Sequence, residues 1–197
     1  MEGPFDPSRP CVLFDLELTA WQGSMQAGWS RPGEWREVIQ IGAVRLGPGS
    51  ALAERGAFTC LVRPVRNPEL SDYIVALTGI SRQAIAAEGL DFPEALARFD
   101  AFAGTDDAPL YCNGADHEIL AENAGWHGIP PSRHQGRMVN FRRHLGTLLG
   151  VGAADFHSIQ VAALAGAGPE PARTHQALAD VRTVAAGLRH LIADGRL

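Results

Sequence analysis

Apolar residues run nearly unbroken from Cys11 to Leu18 (Cys-Val-Leu-Phe-Asp-Leu-Glu-Leu), which predicts a short β-strand inside a sheet. Two carboxylates, Asp15 and Glu17, interrupt that run at alternate positions. Residues 22 to 36 are rich in Gly, Ser, Pro and Trp and form an excursion, after which Glu37 to Leu46 resumes β-branched alternation. A Gly-Pro-Gly turn at 47 to 49 and a third strand over Ala57 to Val62 complete a β-meander. The period then changes. Ser81 is an N-cap for a helix over Arg82 to Glu88, and Asp91 or Phe92 opens a second through Ala95, Leu96, Phe99 and Phe102. Ala108 to Cys112 predicts a strand, Asp116 to Ala124 a helix and Arg137 to Asn140 a fifth strand. Helices follow over Phe141 to Leu149 and Phe156 to Ala165. The last helix, Gln176 to Ile192, places Leu178, Val181, Ala185, Leu188 and Ile192 on one face. Three strands followed by alternating helices and strands imply an α/β fold with one central mixed five-stranded sheet flanked by helices. No repeat or linker divides the chain, so residues 1–197 read as a single domain with its core over about 10–195.

Composition narrows the class. Hydrophobic residues make up 46% of the 197 and charged residues 20%, enough apolar material for a core and no signature of disorder. The formal net charge of −5 argues against a protein that coats nucleic acid through a broad cationic face and leaves room for a narrow contact. All 17 basic residues are arginine, which reads mainly as compositional bias. Cys11, Cys60 and Cys112 are widely spaced without a Cys-x-x-Cys, so neither a zinc knuckle nor a disulfide framework is expected. The first residues lack a basic and then apolar leader, and no run approaches a membrane span. The expectation is a cytoplasmic protein without a membrane partner, and the sequence leaves its oligomeric state open.

Three stretches carry chemistry. On a strand, Asp15 and Glu17 emerge on one face roughly 7 Å apart, and oxygen-only ligands suit Mg²⁺ or Mn²⁺ rather than zinc. An edge strand showing two acids to water is the plain alternative. The apolar frame of Val12, Leu13, Phe14, Leu16 and Leu18 argues against it. In Tyr111-Cys112-Asn113-Gly114-Ala115-Asp116 a strand hands over to a helix with an acid in its first turn, a position where an acid also simply stabilises the helix. The third stretch is Thr174-His175-Gln176-Ala177-Leu178-Ala179-Asp180-Val181, after a Gly/Pro-rich loop at 166 to 171. If its helix packs across the sheet, Asp180 joins the strand acids. His175, with an ordinary pKa near ~6.5, is then placed to take a proton from water.

Together these stretches resemble the DEDDh, or DnaQ-like, 3′-to-5′ exonucleases, which have an RNase H-like fold. Phe14-Asp15-Leu16-Glu17-Leu18-Thr19 is similar to the family's first motif, Asn113 to Asp116 to the second, and His175-Gln176-Ala177-Leu178-Ala179-Asp180 to the third. Glu37-Val38-Ile39, Val62-Arg63-Pro64 and Leu70-Ser71 through Leu77-Thr78-Gly79-Ile80-Ser81 resemble the branch of histone-mRNA 3′-end exonucleases and bacterial KapD-like proteins. The resemblance implies two divalent cations, Mg²⁺ or Mn²⁺. Asp15 would bridge both, Glu17 and Asp180 would complete the first site, and Asp116 would support the second, with His175 as general base. It further implies hydrolysis of phosphodiester bonds at 3′ ends of single-stranded nucleic acid, RNA ahead of DNA, releasing nucleoside 5′-monophosphates.

By the same resemblance Leu18, Thr19, Leu77 and Asn113 would touch the terminal nucleotide. The densest basic run, Arg133, His134, Arg137, Arg142, Arg143 and His144, would either track phosphates or form a solvated face. Trp21, Trp29 and Trp35 border or lie in the excursion, where rings would stack on bases or anchor the loop. The excursion's composition and the continuation Asp116-His117-Glu118 depart from the family pattern and bear on substrate preference. An inactive nuclease-fold binding module and a hydrolase of small oligonucleotides remain the alternatives.

Overall fold

Side-chain alternation along the first strand sets the layering of the molecule. In the computed structural model, which describes residues 1–168 and 175–197, β1 (Cys11–Leu18) sends Val12, Phe14 and Leu16 into one core and Cys11 and Leu13 into the other. β1 pairs antiparallel with β2 (Val38–Leu46), which pairs antiparallel with β3 (Glu54–Leu61). On its other side β1 runs parallel to β4 (Leu110–Cys112), which is parallel to β5 (Met138–Asn140). The five-stranded order is therefore β3-β2-β1-β4-β5, the mixed sheet expected from the pattern. The third strand starts three residues before the predicted Ala57 and ends at Leu61.

Eight α-helices are present among the described residues. α1 (Ser24–Ala27) and α2 (Asp72–Thr78) have no counterpart among the predicted elements, being four and seven residues long. Neither has enough turns for a helical period to emerge, and α3 (Arg82–Glu88), no longer than α2, is marked in the sequence by its Ser81 cap and not by period. α3, α4 (Phe92–Ala103) and α5 (Asp116–Trp126) follow the prediction closely, with the Ser81 hydroxyl accepting from Ala84 N as an N-cap. α6 (Arg142–Leu149) follows β5. The helix expected over 156–165 is a 3₁₀ turn at Ser158–Gln160 that runs into α7 (Val161–Ala165). α8 (Ala177–Ala193) matches the long amphipathic segment.

One face of the sheet is covered by α4 and α5, which bury Phe92, Leu96, Phe99 and Leu120 against Val12 and Phe14. The other face carries α6, α7 and α8, packing Phe141, Phe156, Val184 and Leu188 against Leu13, Val44 and Leu46. A smaller cluster, Ile39, Leu70, Ile74, Ile80 and Ile85, seats α2 and α3. All three cysteines are free thiols. No helix among the described residues is long and apolar enough to cross a membrane.

The contact that positions everything downstream is the approach of α8 to β2. A Cβ on Gly42 would lie 2.2 Å from Leu178 N and 2.4 Å from the Ala177 carbonyl carbon, so only glycine admits the helix this close. The neighbouring Gln40 Oε1 accepts from Ala177 N at 2.9 Å and satisfies an N-terminal donor of α8 that has no partner inside the helix. Gly42→Val is expected to lower stability by about 1–3 kcal/mol through overpacking, read from urea unfolding; a variant as stable as the parent contradicts the tight contact.

Candidate active site

Because β1 and β4 are parallel, their C-terminal ends reach the same edge of the sheet. In open α/β sheets that edge is where ligands gather. Asp15 and Glu17 point to the α8 face, continuing the Cys11 and Leu13 positions, and sit opposite Gly42 and Gln40 of β2. Beyond β4, the segment from Asn113 turns into α5 with Asp116 in its first turn. Across β2, α8 brings Asp180 in its own first turn. His175, two residues before α8, adopts a left-handed backbone at φ 63°, a strained conformation for a non-glycine residue. These residues line one cleft of about 460 Å³, whose apolar wall includes Leu18, Trp29, Tyr73 and Leu77. Ligand atoms of Glu17, His175 and Asp180 all lie within 4.8 Å of one another.

Four carboxyl groups this close resist ionising together. Burial pushes the Asp15 carboxyl well above its ordinary range, and the charges of Asp116, Glu17 and Asp180 add to the effect. Burial first, then Asp180 and Asp116, raises Glu17 to about 8. Asp116 and Asp180 are each raised to about 6 by burial. Nearby backbone N–H groups hold both back, and the Arg142 guanidinium also restrains Asp116. Burial and the neighbouring His157 lower the proton affinity of His175, leaving its imidazole neutral and able to accept a proton near neutral pH. Among the described residues the buried Asp180 Oδ1 atom has no hydrogen-bond partner, costly for a carboxylate oxygen unless a cation sits against it. Four carboxylates, one with an unpartnered buried oxygen, fit hard divalent cations such as Mg²⁺ or Mn²⁺, and the His175 nitrogen stands within the same group.

All five residues of the expected acid and histidine set meet in this cleft. Leu18, Leu77 and Asn113 also line it, with Asn113 Nδ2 donating to Ser158 Oγ at 3.0 Å. Thr19 does not. Its hydroxyl donates to the Trp35 carbonyl and accepts from Glu37 N, its N–H donates to Glu37 O, and its carbonyl accepts from Trp29 Nε1 at 2.8 Å. Thr19 is a brace behind the wall, not a surface of it. Of the three tryptophans, Trp29 lines the cleft; Trp35 lies outside it against Trp126.

The phosphate-tracking reading of the basic run is overturned. Arg133 donates to the Asp100 carbonyl at 2.7 Å, Arg137 to the Ala108 carbonyl at 2.8 Å, and His144 Nδ1 accepts from Phe5 N at 3.0 Å. Arg143 pairs with Glu2 at 3.2 Å. Only Arg142 of the run lines the cleft, and it binds the carbonyls of Asn113, Ala153 and Phe156. That strap, with the fully buried Phe156, delivers His157 and Ser158 to the cleft. Neither residue carries a sequence signal, because a short 3₁₀ entry has no periodicity to read. Gly42 does carry one, as an isolated glycine within a strand. Of the Gly/Pro-rich loop at 166 to 171, positions 169–171 lie outside the described residues, as does Thr174.

The family model for exonucleases, of the RNase T type, matches residues 12–188. Comparison with curated proteins returns no match. Among solved structures, a 3′-exonuclease in specific recognition of the histone mRNA stem-loop superposes with TM-score 0.80 at 21% identity, over 96% of this chain and 65% of that one. The nuclease domain of 3′hExo, a DEDDh family member bound to rAMP, gives 0.77 at 22% over 95% and 94%. Cell-death related nuclease 4 gives 0.76 at 18% over 96% and 65%. The chain thus spans just under two thirds of the first and third and nearly all of the nuclease domain. These likenesses establish the RNase H-like fold.

Crowded acids make stability depend on pH when no metal is bound. Each raised carboxyl binds more proton in the folded than in the unfolded chain, where carboxyls titrate near ~4. Its contribution is therefore complete at low pH and lost as pH rises through the folded values, about 6 for Asp116 and Asp180 and about 8 for Glu17. In EDTA the thermal midpoint is expected to fall between pH 6.5 and 8.5, above the range where histidines contribute, and Glu17→Gln is expected to flatten that fall. A midpoint that is level or rises in the parent contradicts the electrostatics.

Proposed function

Because the chain belongs to the exonuclease family, we propose that it is a metal-dependent 3′-to-5′ exonuclease. It shortens single-stranded nucleic acid from the 3′ end and releases nucleoside 5′-monophosphates. One observation carries the reading: Asp15 and Glu17 of β1, Asp116 of α5 and Asp180 of α8 meet in a single cleft beside His175.

Asp15, Glu17, Asp116 and Asp180 would hold two divalent cations, Mg²⁺ or Mn²⁺. When bound, these supply positive charge for the attacking and leaving oxygens at phosphorus. His175 is the general base. It stands at the cleft with a neutral imidazole and takes a proton from the attacking water. Leu18 and Leu77 form the apolar surface for the terminal base, and Asn113, held by Ser158, fixes polar contact at the sugar–phosphate end. A cleft of about 460 Å³ accommodates a terminal nucleotide rather than a duplex. RNA is favoured over DNA because the matches described with histone mRNA and with rAMP superpose better, at TM-scores of 0.80 and 0.77, than those of exonuclease I with single-stranded DNA, at 0.65 to 0.67.

A 5′-labelled single-stranded RNA incubated with Mg²⁺ or Mn²⁺ is expected to yield a ladder shortening from its 3′ end, faster than the matched DNA. Asp15→Ala is expected to abolish it, and His175→Ala to slow it by about 100- to 10,000-fold, the range for loss of a general base. An Asp15→Ala protein that degrades the strand as fast as the parent overturns the assignment.

A further inference from the structure

Beyond the cleft, Arg66 lies on an exposed segment with Val65, which is 58% exposed. Among the described residues its guanidinium has no carboxylate within 4.0 Å and makes no hydrogen bond. It lies 4.2 Å from the ring centre of Trp35 and 4.9 Å from that of Trp126, and the two rings meet edge to face at 5.6 Å. Trp35 is 40% exposed. The cluster is held from beneath. Glu37, 2% exposed, accepts from the N–H groups of Val65 and Arg66 at 2.8 Å each and from that of Asn67. Asn67 Oδ1 in turn accepts from Trp35 N at 3.1 Å. With backbone N–H groups serving the buried carboxylate, the Arg66 charge stays available at the surface.

The cluster adjoins the cleft through two elements. Arg36, next to Trp35, lines the cleft and pairs with Glu122 of α5 at 2.6 Å. On α5 itself Ile119 lines the cleft and Trp126 stands two turns further on, about 10 Å at the helical rise. A guanidinium seated on two indole rings, with no carboxylate partner among the described residues and with Trp35 exposed beside it, suits a phosphate and a base of one strand.

We propose that Arg66, Trp35 and Trp126 form a second contact for single-stranded substrate, taking a nucleotide upstream of the terminal one. The proposal rests on the exonuclease reading and adds a length dependence to it: strands of several nucleotides reach this surface and dinucleotides do not.

The test is binding of a 5′-fluorescein RNA 12-mer and of a labelled dinucleotide to the full chain in EDTA, by anisotropy across a salt series, for the parent, Arg66→Gln and Arg66→Lys. Arg66→Gln is expected to weaken the 12-mer about tenfold relative to the dinucleotide. It should also reduce the slope of log affinity against log salt by about 0.7, the value for one phosphate contact on a single strand. Arg66→Lys should restore the slope. Equal weakening at both lengths, an unchanged 12-mer, or a parent that self-associates through this surface and ceases to do so in Arg66→Gln, overturns the proposal. A parent that binds strands with this length dependence but leaves them intact with Mg²⁺ defeats the exonuclease reading and keeps the contact.

Discussion

A helix can deliver an acid to a strand face only if the backbones approach closely, and here one missing side chain permits it. Gly42 removes the Cβ that would collide with Leu178 N, and Gln40 on the same strand face caps Ala177 N. Their cross-strand partners are Asp15 and Glu17. The two residues that dock α8 therefore sit beside the two acids that α8 must meet, and Asp180 arrives with the helix. Nothing at the sheet edge needs a separate positioning device on that side.

The other side is built differently. Asp116 comes from the start of α5, as β4 ends, and its surroundings depend on the Arg142 strap across the carbonyls of Asn113, Ala153 and Phe156. That guanidinium offsets the charge of Asp116, while among the described residues no cation does the same for Asp15, Glu17 or Asp180. The acid cluster is thus destabilised as long as it is empty, and folding of the two hydrophobic cores must carry it. Such local conflict between burial and charge is characteristic of a site that awaits a ligand.

Much of this was legible in the residues themselves. β1 could be read because eight residues alternate between two cores, and Asp15 and Glu17 stood out because they break that apolar run. α8 was legible because seventeen residues give several turns of period. α1 and α2 were not, being too short for periodicity to separate them from loop. The basic run stays open in the sequence for a physical reason: arginine serves carbonyl oxygens as well as phosphates, and the sequence does not distinguish Arg137 at the Ala108 carbonyl from an arginine facing solvent. Thr19 misled, since its motif position is real but its polar atoms face the loop they brace. His157, Ser158 and the Arg66 cluster depend on contacts between segments far apart in the chain, which local pattern does not encode.

The central claim is that Asp180 Oδ1, which has no partner among the described residues, and its neighbouring acids hold divalent cations. Anomalous diffraction from crystals of the full chain grown with Mn²⁺ tests it most directly. The arrangement predicts anomalous peaks within coordination distance of Asp15, one shared with Glu17 and Asp180 and one toward Asp116. Mn²⁺ found only at surface carboxylates, with the Asp180 oxygen still lacking a partner, contradicts it.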